Sequence, residues 1–318
     1  MHLSVPTRMI SRIPLQERST DAALEHRPRL LGLAYRMLGD MDEAEDVVQE
    51  AYLRWQQAQQ QVVQSVEAWL VTVVSRLAVD RLRRLSTARA AYPGPWLPEP
   101  IATDAGLAPM VPAAPPPPDR RAELASDLSV ALLVLLERLA PEERAAFLLR
   151  DVFGTDYGEI ARILERRPDA VRQMVHRART RVHDERPRVP TPPGTHERLL
   201  EQFVAALSAD DAPALLALLA PDVALASDGG GRALAARNWI MGANHVSRFL
   251  LGVSRKLGSS TSHRLTWLNG QPALLTLEGD AVVGATTIDA EEGRVRAVYI
   301  MRNPEKLRRA LADVGPIV

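Results

Sequence analysis

The sequence contains no cysteine, which excludes disulfide scaffolds, thiolate zinc sites and cysteine nucleophiles. That absence fits a reducing compartment. The chain also lacks any run that approaches the about 18 apolar residues of a membrane span. Its first twenty residues contain Arg8, Arg12 and Arg18 but no continuous apolar stretch. We therefore expect no signal peptide and no membrane contact, a flexible leader over residues 1–19, and a cytoplasmic location.

The chain also has no net charge, because its 39 basic residues balance 39 acidic ones. This balance excludes a uniformly basic protein that coats DNA, and it excludes an acidic disordered tail. A length of 318 residues predicts about two domains or three small ones. The hydrophobic fraction of 46% is enough to build buried cores.

Proline marks the boundaries between the domains. Ten of the 24 prolines lie in residues 93–118 and four more lie in 187–193. Because proline fixes φ and lacks a backbone donor, neither stretch can form a helix or a central strand. The sequence therefore predicts ordered blocks over 20–92, 119–186 and 194–318, joined by a flexible Pro-rich linker over 93–118 and a shorter one over 187–193.

Apolar periodicity predicts a different class of fold for the third block. In the first two blocks it predicts helices only, over 30–38, 42–57, 66–85, 124–139, 157–164, 168–183 and one that begins at Pro141. The third block begins with helices near 197–207 and 212–219 and a third within 234–257. Strands over 264–268, 273–277, 281–288 and 295–301 follow, separated by turn residues, as an antiparallel meander. This order is typical of an α+β domain.

Charge is segregated within the neutral total. Residues 40–50 contain six acids and no base, whereas 76–92 contain five arginines against one aspartate and 172–181 contain four arginines and no acid. The second arginine cluster lies on the last helix of a short helix, tight turn and long helix, the layout of a helix-turn-helix. Two basic helices on separate domains indicate contact with two separated stretches of DNA. The alternative interpretation is that these are ordinary solvated helix faces.

Three segments resemble a known family. Residues 42–55 and 68–83 are similar to region 2, and residues 128–182 to region 4, of bacterial sigma factors of the extracytoplasmic-function class. The stretch Tyr92-Pro93-Gly94-Pro95-Trp96-Leu97-Pro98-Glu99-Pro100, followed by an α+β domain, resembles the subgroup with a fused SnoaL-like extension. The resemblance implies two all-α helical domains, region 2 and a helix-turn-helix region 4, plus an α+β SnoaL/NTF2-like cone.

The resemblance also implies roles for particular residues. Binding to core RNA polymerase, through the clamp helices of its β′ subunit, falls to Asp46, Gln49, Glu50 and Leu53, while the β flap is a second polymerase contact. Recognition and opening of the promoter −10 element fall to Arg76, Asp80, Arg81, Arg83 and Arg84. The −35 element would be read by Arg172, Gln173, His176 and Arg177, with Arg179 and Arg181 on phosphates. One departure is Arg167, which stands where the family commonly has a capping Ser or Thr.

Two short motifs of the third block resemble those of the same subgroup. They are Asp228-Gly229-Gly230-Gly231-Arg232 and Asn303-Pro304-Glu305-Lys306-Leu307. The resemblance implies that these motifs, together with Trp96, dock the extension on the helical core or the linker and regulate promoter binding. For the glycine run, an ordinary hairpin turn is the competing interpretation.

The sequence thus predicts an RNA polymerase sigma factor that is not an enzyme, needs no cofactor or metal, and is modulated by its C-terminal domain. One alternative is a transcription factor that binds DNA without polymerase. A second is a hollow cone that senses a small ligand. For an enzymatic cone, Asp222, His245 and His263 are the candidate acid/base residues, although Asp222 is predicted to lie in a turn before a strand. Two tryptophans, Trp55 and Trp69, are interpreted as core residues rather than base-stacking groups. Leu53 could also lie in the core instead of the polymerase interface.

Overall fold

The computed structural model of the chain describes residues 24–58, 65–102, 128–185, 193–257 and 261–312. The predicted leader, residues 103–118 of the long linker and nearly all of the short linker lie outside the described residues. None of the helices in these ranges is long and apolar enough to span a membrane.

The N-terminal block consists of three helices, as predicted. They are α1 (Arg27–Leu38), α2 (Met41–Gln57) and α3 (Val66–Ala90). Helix α1 ends at Gly39, whose φ of 66° suits the residue that terminates a helix. Asp40 then caps α2 by accepting a hydrogen bond from the Glu43 amide, and Ser65 caps α3 in the same way. Helix α3 runs five residues beyond its predicted end.

The second block has the predicted helix-turn-helix. Helices α4 (Val130–Glu137) and α5 (Pro141–Phe147) come first, and α5 continues into a π-helical turn over Leu148–Val152. Helices α6 (Tyr157–Leu164) and α7 (Pro168–Glu185) form the helix-turn-helix, with Glu165 left-handed in the turn between them. Helix α7 begins at Pro168 despite the arginine in the preceding position. Residues 124–127 of the predicted helix over 124–139 lie outside the described residues, and Leu128 and Ser129 precede α4.

Helix α4 joins all three blocks. Its side chains Leu132, Leu133 and Leu136 lie in one apolar core that the first seven helices share. Its Val130 and Val134 pack instead against the sheet of the third block. A helix that is apolar on all sides is a buried helix, which explains the composition of this segment.

The two helical domains therefore pack on one another. Trp55 is buried in their shared core, and Trp69 packs against that core with its ring centroid 5.2 Å from that of Trp55. Both side chains fit the core interpretation rather than base stacking.

The C-terminal block is the predicted α+β domain. It contains α8 (Pro193–Ser208), α9 (Ala212–Leu218), β1 (Leu219–Asp228), β2 (Ile240–Met241), α10 (Ala243–Leu257), β3 (Thr261–Leu268), β4 (Gln271–Glu278), β5 (Ala281–Glu291), β6 (Arg294–Met301) and α11 (Pro304–Ala312). The strand order is β2-β1-β6-β5-β4-β3, and the β3–β6 meander is antiparallel as predicted.

Strand β1 differs from the sequence prediction. It pairs in parallel with β6, so the sheet is mixed. Asp222 lies within this strand, beside an irregularity in its register, rather than in a turn. The predicted turn is wrong because β1 follows α9 directly, and no hairpin marks its pairing with a parallel partner about 70 residues further along the chain. Residues 234–242 include the short edge strand β2, so the third helix begins only at Ala243.

Successive residues of a strand point to opposite sides of the sheet, so the sheet has two faces. The two faces pack on different parts of the protein. One face packs on the domain's own helices α8, α9 and α10, through side chains such as Val298 and Leu250. The other face, including Leu275 and Tyr299, packs on Leu97 of the linker and on α4. The sheet thus lies between its own helices and the rest of the chain.

Candidate functional sites at the domain interfaces

The residues predicted to bind polymerase lie along one side of helix α2. Asp46, Gln49, Glu50 and Leu53 all line a cleft of about 240 Å³ between α2 and α3. Leu53 is 52% exposed, so it does not belong to the core. The helix therefore presents an apolar side chain among carboxylates, a surface that complements a basic partner with an apolar contact.

Acidic helix α2 also holds one of the arginines predicted to contact DNA. Arg81 of α3 donates to Glu43, and its Nη2 lies 3.2 Å from Oδ2 of Asp46. The hydrogen bond to Glu43 raises the pKa of Arg81 above its usual value. Asp46 is therefore part of the predicted polymerase surface, and it also contacts Arg81, which is predicted to bind DNA. Arg84 lines the same cleft, and its Nε donates to the carbonyl of Asp80, 3.4 Å away.

Arg76 reaches from α3 to the helix-turn-helix. Its Nε and Nη2 donate to the carbonyls of Ile163 and Arg162, each at 2.8 Å, and Nη2 lies 3.3 Å from Glu165. The last carbonyls of a helix have no partner within the helix, so Arg76 acts as a cap on the C-terminal end of α6.

A second connection between the helical domains centres on Glu142 of α5. Its carboxylate accepts two hydrogen bonds of 2.9 Å from Arg166, in the turn of the helix-turn-helix, and a further one from Arg83 of α3. The bonds from Arg166 are the main reason that the pKa of Glu142 is lowered. Arg83 also bonds to Asp80 on its own helix, 3.1 Å away.

Three arginines of the predicted reading helix α7 face carboxylates of the preceding helices. Arg177 and Arg181 lie 3.0 and 2.9 Å from the two oxygens of Glu143. Arg179 forms a two-pronged pair with Asp151, whose side chain is 4% exposed. The sequence placed Arg179 on a phosphate; in the structure it compensates a buried carboxylate, a role that periodicity alone did not reveal.

The other predicted reading residues of α7 face outward. Arg172, Gln173 and His176 are exposed. Arg172 pairs with Asp169 in the first turn of its own helix, and its guanidinium lies 5.8 Å from the centroid of the Tyr157 ring. Within the described part of the chain, none of these three side chains pairs with a carboxylate of another helix.

The predicted regulatory motifs meet around the carboxylate of Asp228. This side chain is fully buried at the end of β1. Its Oδ1 accepts from the hydroxyl of Tyr92, 2.6 Å away, and from the Gly230 amide, 3.0 Å away. Its Oδ2 accepts from the Leu97 amide, 2.9 Å away, and from Nζ of Lys306, 2.8 Å away. One carboxylate thus connects both motifs to the linker.

Lys306 and Trp96 form the other half of this contact. Nζ of Lys306 also donates to the carbonyl of Leu97 and lies 4.0 Å from the centroid of the Trp96 ring. The guanidinium of Arg89 stacks on the same ring at 3.7 Å. Burial lowers the pKa of Lys306, and the nearby Asp228 carboxylate opposes that shift. We name the contact of Tyr92, Trp96, Leu97, Asp228 and Lys306 the linker clamp.

The glycine run has a specific steric reason. Gly230 has a φ of 60°, and a side chain there would collide with the amide group of Asn303. That amide donates to Tyr92, 3.0 Å away, while its oxygen accepts from the Glu305 amide. Pro304 starts helix α11 at this point. Glycine is therefore required at position 230 because the two motifs approach each other so closely there. An ordinary hairpin turn would not impose this requirement.

The charged residues at the ends of the motifs pair at the surface. Arg232 lies 2.8 Å from Glu305, and the two side chains are 62% and 48% exposed. Gly229 and Gly231 flank Gly230, and Pro93 of the linker lies against Gly231. Two ion pairs therefore join the motifs. The pair between Asp228 and Lys306 is buried, and the pair between Arg232 and Glu305 is exposed.

The linker is fixed on its other side by Glu99, which the sequence analysis missed. Its carboxylate accepts from the Met41 amide, 2.7 Å away, and its own amide donates to the Gly39 carbonyl at 2.8 Å. Trp96 lies against the same turn, since a side chain at Gly39 would come within 2.7 Å of its ring. The available signal was that Glu99 is the lone charge in the stretch 92–100.

Asn269 extends the same connection to the sheet. Its Nδ2 donates to the hydroxyl of Tyr35, 2.7 Å away, and that hydroxyl donates to the Glu99 carbonyl at 2.7 Å. Asn269 also exchanges two hydrogen bonds with Ile101. The sequence assigned Asn269 only to a turn. Residues 92–102 are therefore packed between α1 and the sheet, unlike the flexible connection expected for this part of the linker.

A group of buried charged side chains around Glu137 lies next to the linker clamp. Glu137 of α4 pairs with Arg89 of α3 at 2.6 Å and with Arg144 of α5 at 2.7 Å. Arg144 is almost completely buried and also donates to the carbonyl of Met37. Burial alone would raise the pKa of Glu137, but Arg144 and Arg89 outweigh burial and lower it. This carboxylate links the first block, the second block and the ring of Trp96.

The three candidate acid/base residues, Asp222, His245 and His263, each contact a different partner. Asp222 pairs with Arg296 at 2.9 Å, and His245 bonds to the Met241 carbonyl. His263 lies on β3, where its Nδ1 is 3.5 Å from the hydroxyl of Thr276. Within the described part of the chain, no three His, Cys, Asp or Glu side chains are grouped so that they could hold a metal ion.

Comparisons with known proteins match both helical blocks. The sigma-70 region 2 family model matches residues 23–87, and the sigma-70 region 4 model matches residues 129–182. The chain is 36% identical over 290 residues to the ECF RNA polymerase sigma factor SigJ of Mycobacterium tuberculosis, which covers 88% of this chain and 90% of that protein. It is 32% identical over 299 residues to the probable ECF RNA polymerase sigma factor SigI of the same organism, covering 91% and 95%.

The three-block architecture has a match among solved structures. The crystal structure of Mycobacterium tuberculosis SigJ superposes with a TM-score of 0.72 and 33% sequence identity, covering 92% of this chain and 98% of that one. The match therefore includes the C-terminal α+β domain as well as both helical blocks.

Proposed function

The chain belongs to the extracytoplasmic-function (ECF) RNA polymerase sigma factors, and we propose that the described conformation is a closed state in which its two DNA-reading domains are held together by the linker clamp. As a sigma factor, the protein directs promoter-specific initiation of transcription by RNA polymerase.

The observation that carries the proposal is that the arginines predicted to contact DNA already have acceptors within the protein, and that two of them, Arg76 and Arg83, bond across the two helical domains. Of the eight arginines predicted to contact DNA, six have an acceptor on another helix or turn: Arg76, Arg81, Arg83, Arg177, Arg179 and Arg181. Within the described part of the chain, Arg84 and Arg172 form hydrogen bonds to residues of their own helices alone. DNA phosphates would have to replace carboxylates such as Glu142 and Glu143 before these side chains could bind a promoter.

The ion pairs between the helical domains are weak enough for the closed state to open. The two arginines that bond across the domains, Arg76 and Arg83, are about half exposed, and ion pairs of exposed side chains contribute about 0–1 kcal/mol each. A partner that binds only the open form can therefore shift the equilibrium with a modest difference in affinity. Core polymerase is the partner we assign to this role, through the α2 surface on the β′ clamp helices and region 4 on the β flap.

The open form would then divide promoter recognition between two helices. We assign the −10 element to α3 and the −35 element to the outward-facing side of α7, with Arg172, Gln173 and His176 nearest the bases. Because core polymerase and the promoter are cytoplasmic in bacteria, we expect the protein to act there.

The C-terminal domain acts as a built-in regulator under this proposal. It holds residues 92–102, which follow α3, and the face of its sheet that packs on this linker segment also packs on α4. Because the regulator is part of the same chain, its effective concentration is high and a contact of modest strength is enough.

The test is transcription with purified components. We expect the protein and core polymerase together to start transcription from a subset of a random promoter library. A double substitution of Asp46 and Glu50 by alanine should abolish polymerase binding, whereas the matched substitution of Asp42 and Glu45 on the same helix should not. DNA binding that is specific without polymerase, and indifferent to both variants, would instead support a stand-alone transcription factor.

A further inference from the structure

The face of the sheet opposite the linker contains a cleft that the sigma activity does not use. It has a volume of about 460 Å³, within the range of small-molecule sites. The wall from α8 and α10 contributes large apolar side chains, Phe203, Leu250 and Val253, beside polar ones such as Ser254. The facing wall, from the sheet, contributes the polar side chains His263, Thr276, Thr286 and Arg302 beside two apolar ones. A cleft that combines large apolar side chains with a polar group on the sheet fits a ligand that has a hydrocarbon body and a polar end.

The charge of that polar end follows from Arg302. Its Nε is buried and has no hydrogen-bond partner within the described part of the chain. A second arginine at the cleft, Arg255, is already paired with both oxygens of Asp210, at 2.9 and 3.0 Å. A buried guanidinium nitrogen without an acceptor costs free energy, and a carboxylate is the planar acceptor that matches its geometry.

We propose that this cleft binds a small carboxylic acid with an apolar body, its carboxylate on Arg302 and its body against Phe203 and Leu250. The hydroxyls of Thr276 and Thr286 lie on the same polar wall and can donate to the second carboxylate oxygen. Arg302 serves here as a binding residue, and the site requires no chemical step.

The site lies beside the linker clamp along the chain. The Arg302 amide donates to the Asp228 carbonyl, 2.7 Å away, and the next residue, Asn303, holds Tyr92. A bound acid would therefore contact a residue whose backbone is bonded to the clamp residue Asp228.

The experiment is calorimetric titration of the full chain, without polymerase or DNA, so that its outcome does not depend on the proposed sigma activity. The probes are octanoate, decanoate and 3-phenylpropionate, each compared with the alcohol of the same skeleton. We expect at least one acid to bind saturably with a dissociation constant below about 1 mM and its alcohol to bind at least about tenfold more weakly.

Two substitutions locate the binding. Arg302→Gln should weaken the acid about tenfold to hundredfold, because it removes a charge-assisted hydrogen bond, while Arg255→Gln removes an equal charge at the same cleft and should change little. Thr286→Val provides a milder variant, with a smaller loss, should Arg302→Gln unfold. Absence of saturable binding by all three acids, or equal binding of acid and alcohol, would overturn the proposal, as would equal losses in the Arg302 and Arg255 variants.

Discussion

Nζ of Lys306 lies 2.8 Å from Oδ2 of Asp228, and both side chains are buried where the linker crosses the end of the sheet. The two residues come from separate motifs that are 78 positions apart. Because the same carboxylate also accepts from Tyr92 and Leu97, the pair holds the chain segment that follows the predicted −10 helix.

The first prediction concerns this pair. Asp228→Asn leaves the Lys306 ammonium buried without its counter-charge, so it should lower the free energy of unfolding by about 3 kcal/mol. Denaturant unfolding monitored by tryptophan fluorescence measures the change. The matched control is Glu305→Gln, which breaks the exposed pair with Arg232 in the same two motifs and should cost less than about 1 kcal/mol. Similar losses in the two variants would contradict the role given to the buried pair.

The second prediction concerns Glu137. Its pKa is lower in the folded protein than the usual 4.5, so its contribution to stability is present above about pH 4.5 and is lost as the pH falls through the folded value. Glu137→Gln leaves Arg89 and Arg144 unpaired, and it should cost about 3 kcal/mol at neutral pH. The difference in melting temperature between wild type and variant should shrink in acid. A difference that is constant with pH would show that the ionised carboxylate is not what stabilises the fold.

The third prediction concerns closure between the helical domains. Glu142→Gln weakens the contacts to Arg83 and Arg166 and should tighten binding to promoter DNA by about 3-fold to 10-fold, since exposed pairs contribute up to about 1 kcal/mol each. Fluorescence anisotropy with a labelled promoter measures this change. Glu201→Gln, on the exposed face of α8, removes the same charge and controls for simple electrostatics. If both variants gain affinity equally, Glu142 does not restrain the arginines.

The fourth prediction separates two arginines of α7. Arg172→Ala should reduce discrimination between cognate and altered −35 sequences by about tenfold and leave the melting temperature unchanged, because its side chain is exposed. Arg179→Ala should lower the melting temperature, because it leaves the buried Asp151 carboxylate without its partner. Competition binding and thermal unfolding of both variants are the measurements. The assignment fails if Arg172→Ala destabilises the fold or Arg179→Ala does not.

The sequence predicted the helices and the meander well, because their signals are local. Periodic apolar positions, the caps Asp40 and Ser65, and the turn residues each act within a few residues. It predicted a strand after Asp222 but neither the start of β1 nor its pairing with β6, which is distant in the chain and parallel, so that no hairpin turn indicates the pairing.

The site was only partly predictable for the same reason. The resemblance pointed to Trp96 and to both motifs, but it did not show that Asp228 joins them. The contacts of Glu99, Asn269 and Tyr35 depend on three blocks meeting in space, which one sequence does not encode at any fixed spacing. The ion pairs of the arginines are likewise a property of packing and not of helical phase.

The most direct test of the closed state is the distance between α3 and α7 in solution. The chain has no cysteine, so Thr87→Cys and Thr180→Cys place two spin labels at exposed positions with no background sites. Pulsed electron paramagnetic resonance should give one short, narrow distance in the free protein. Addition of core polymerase should lengthen that distance on the order of tens of ångströms, since the two promoter elements lie more than two turns of DNA apart. A broad, long distance in the free protein, or no change upon polymerase binding, would contradict the account.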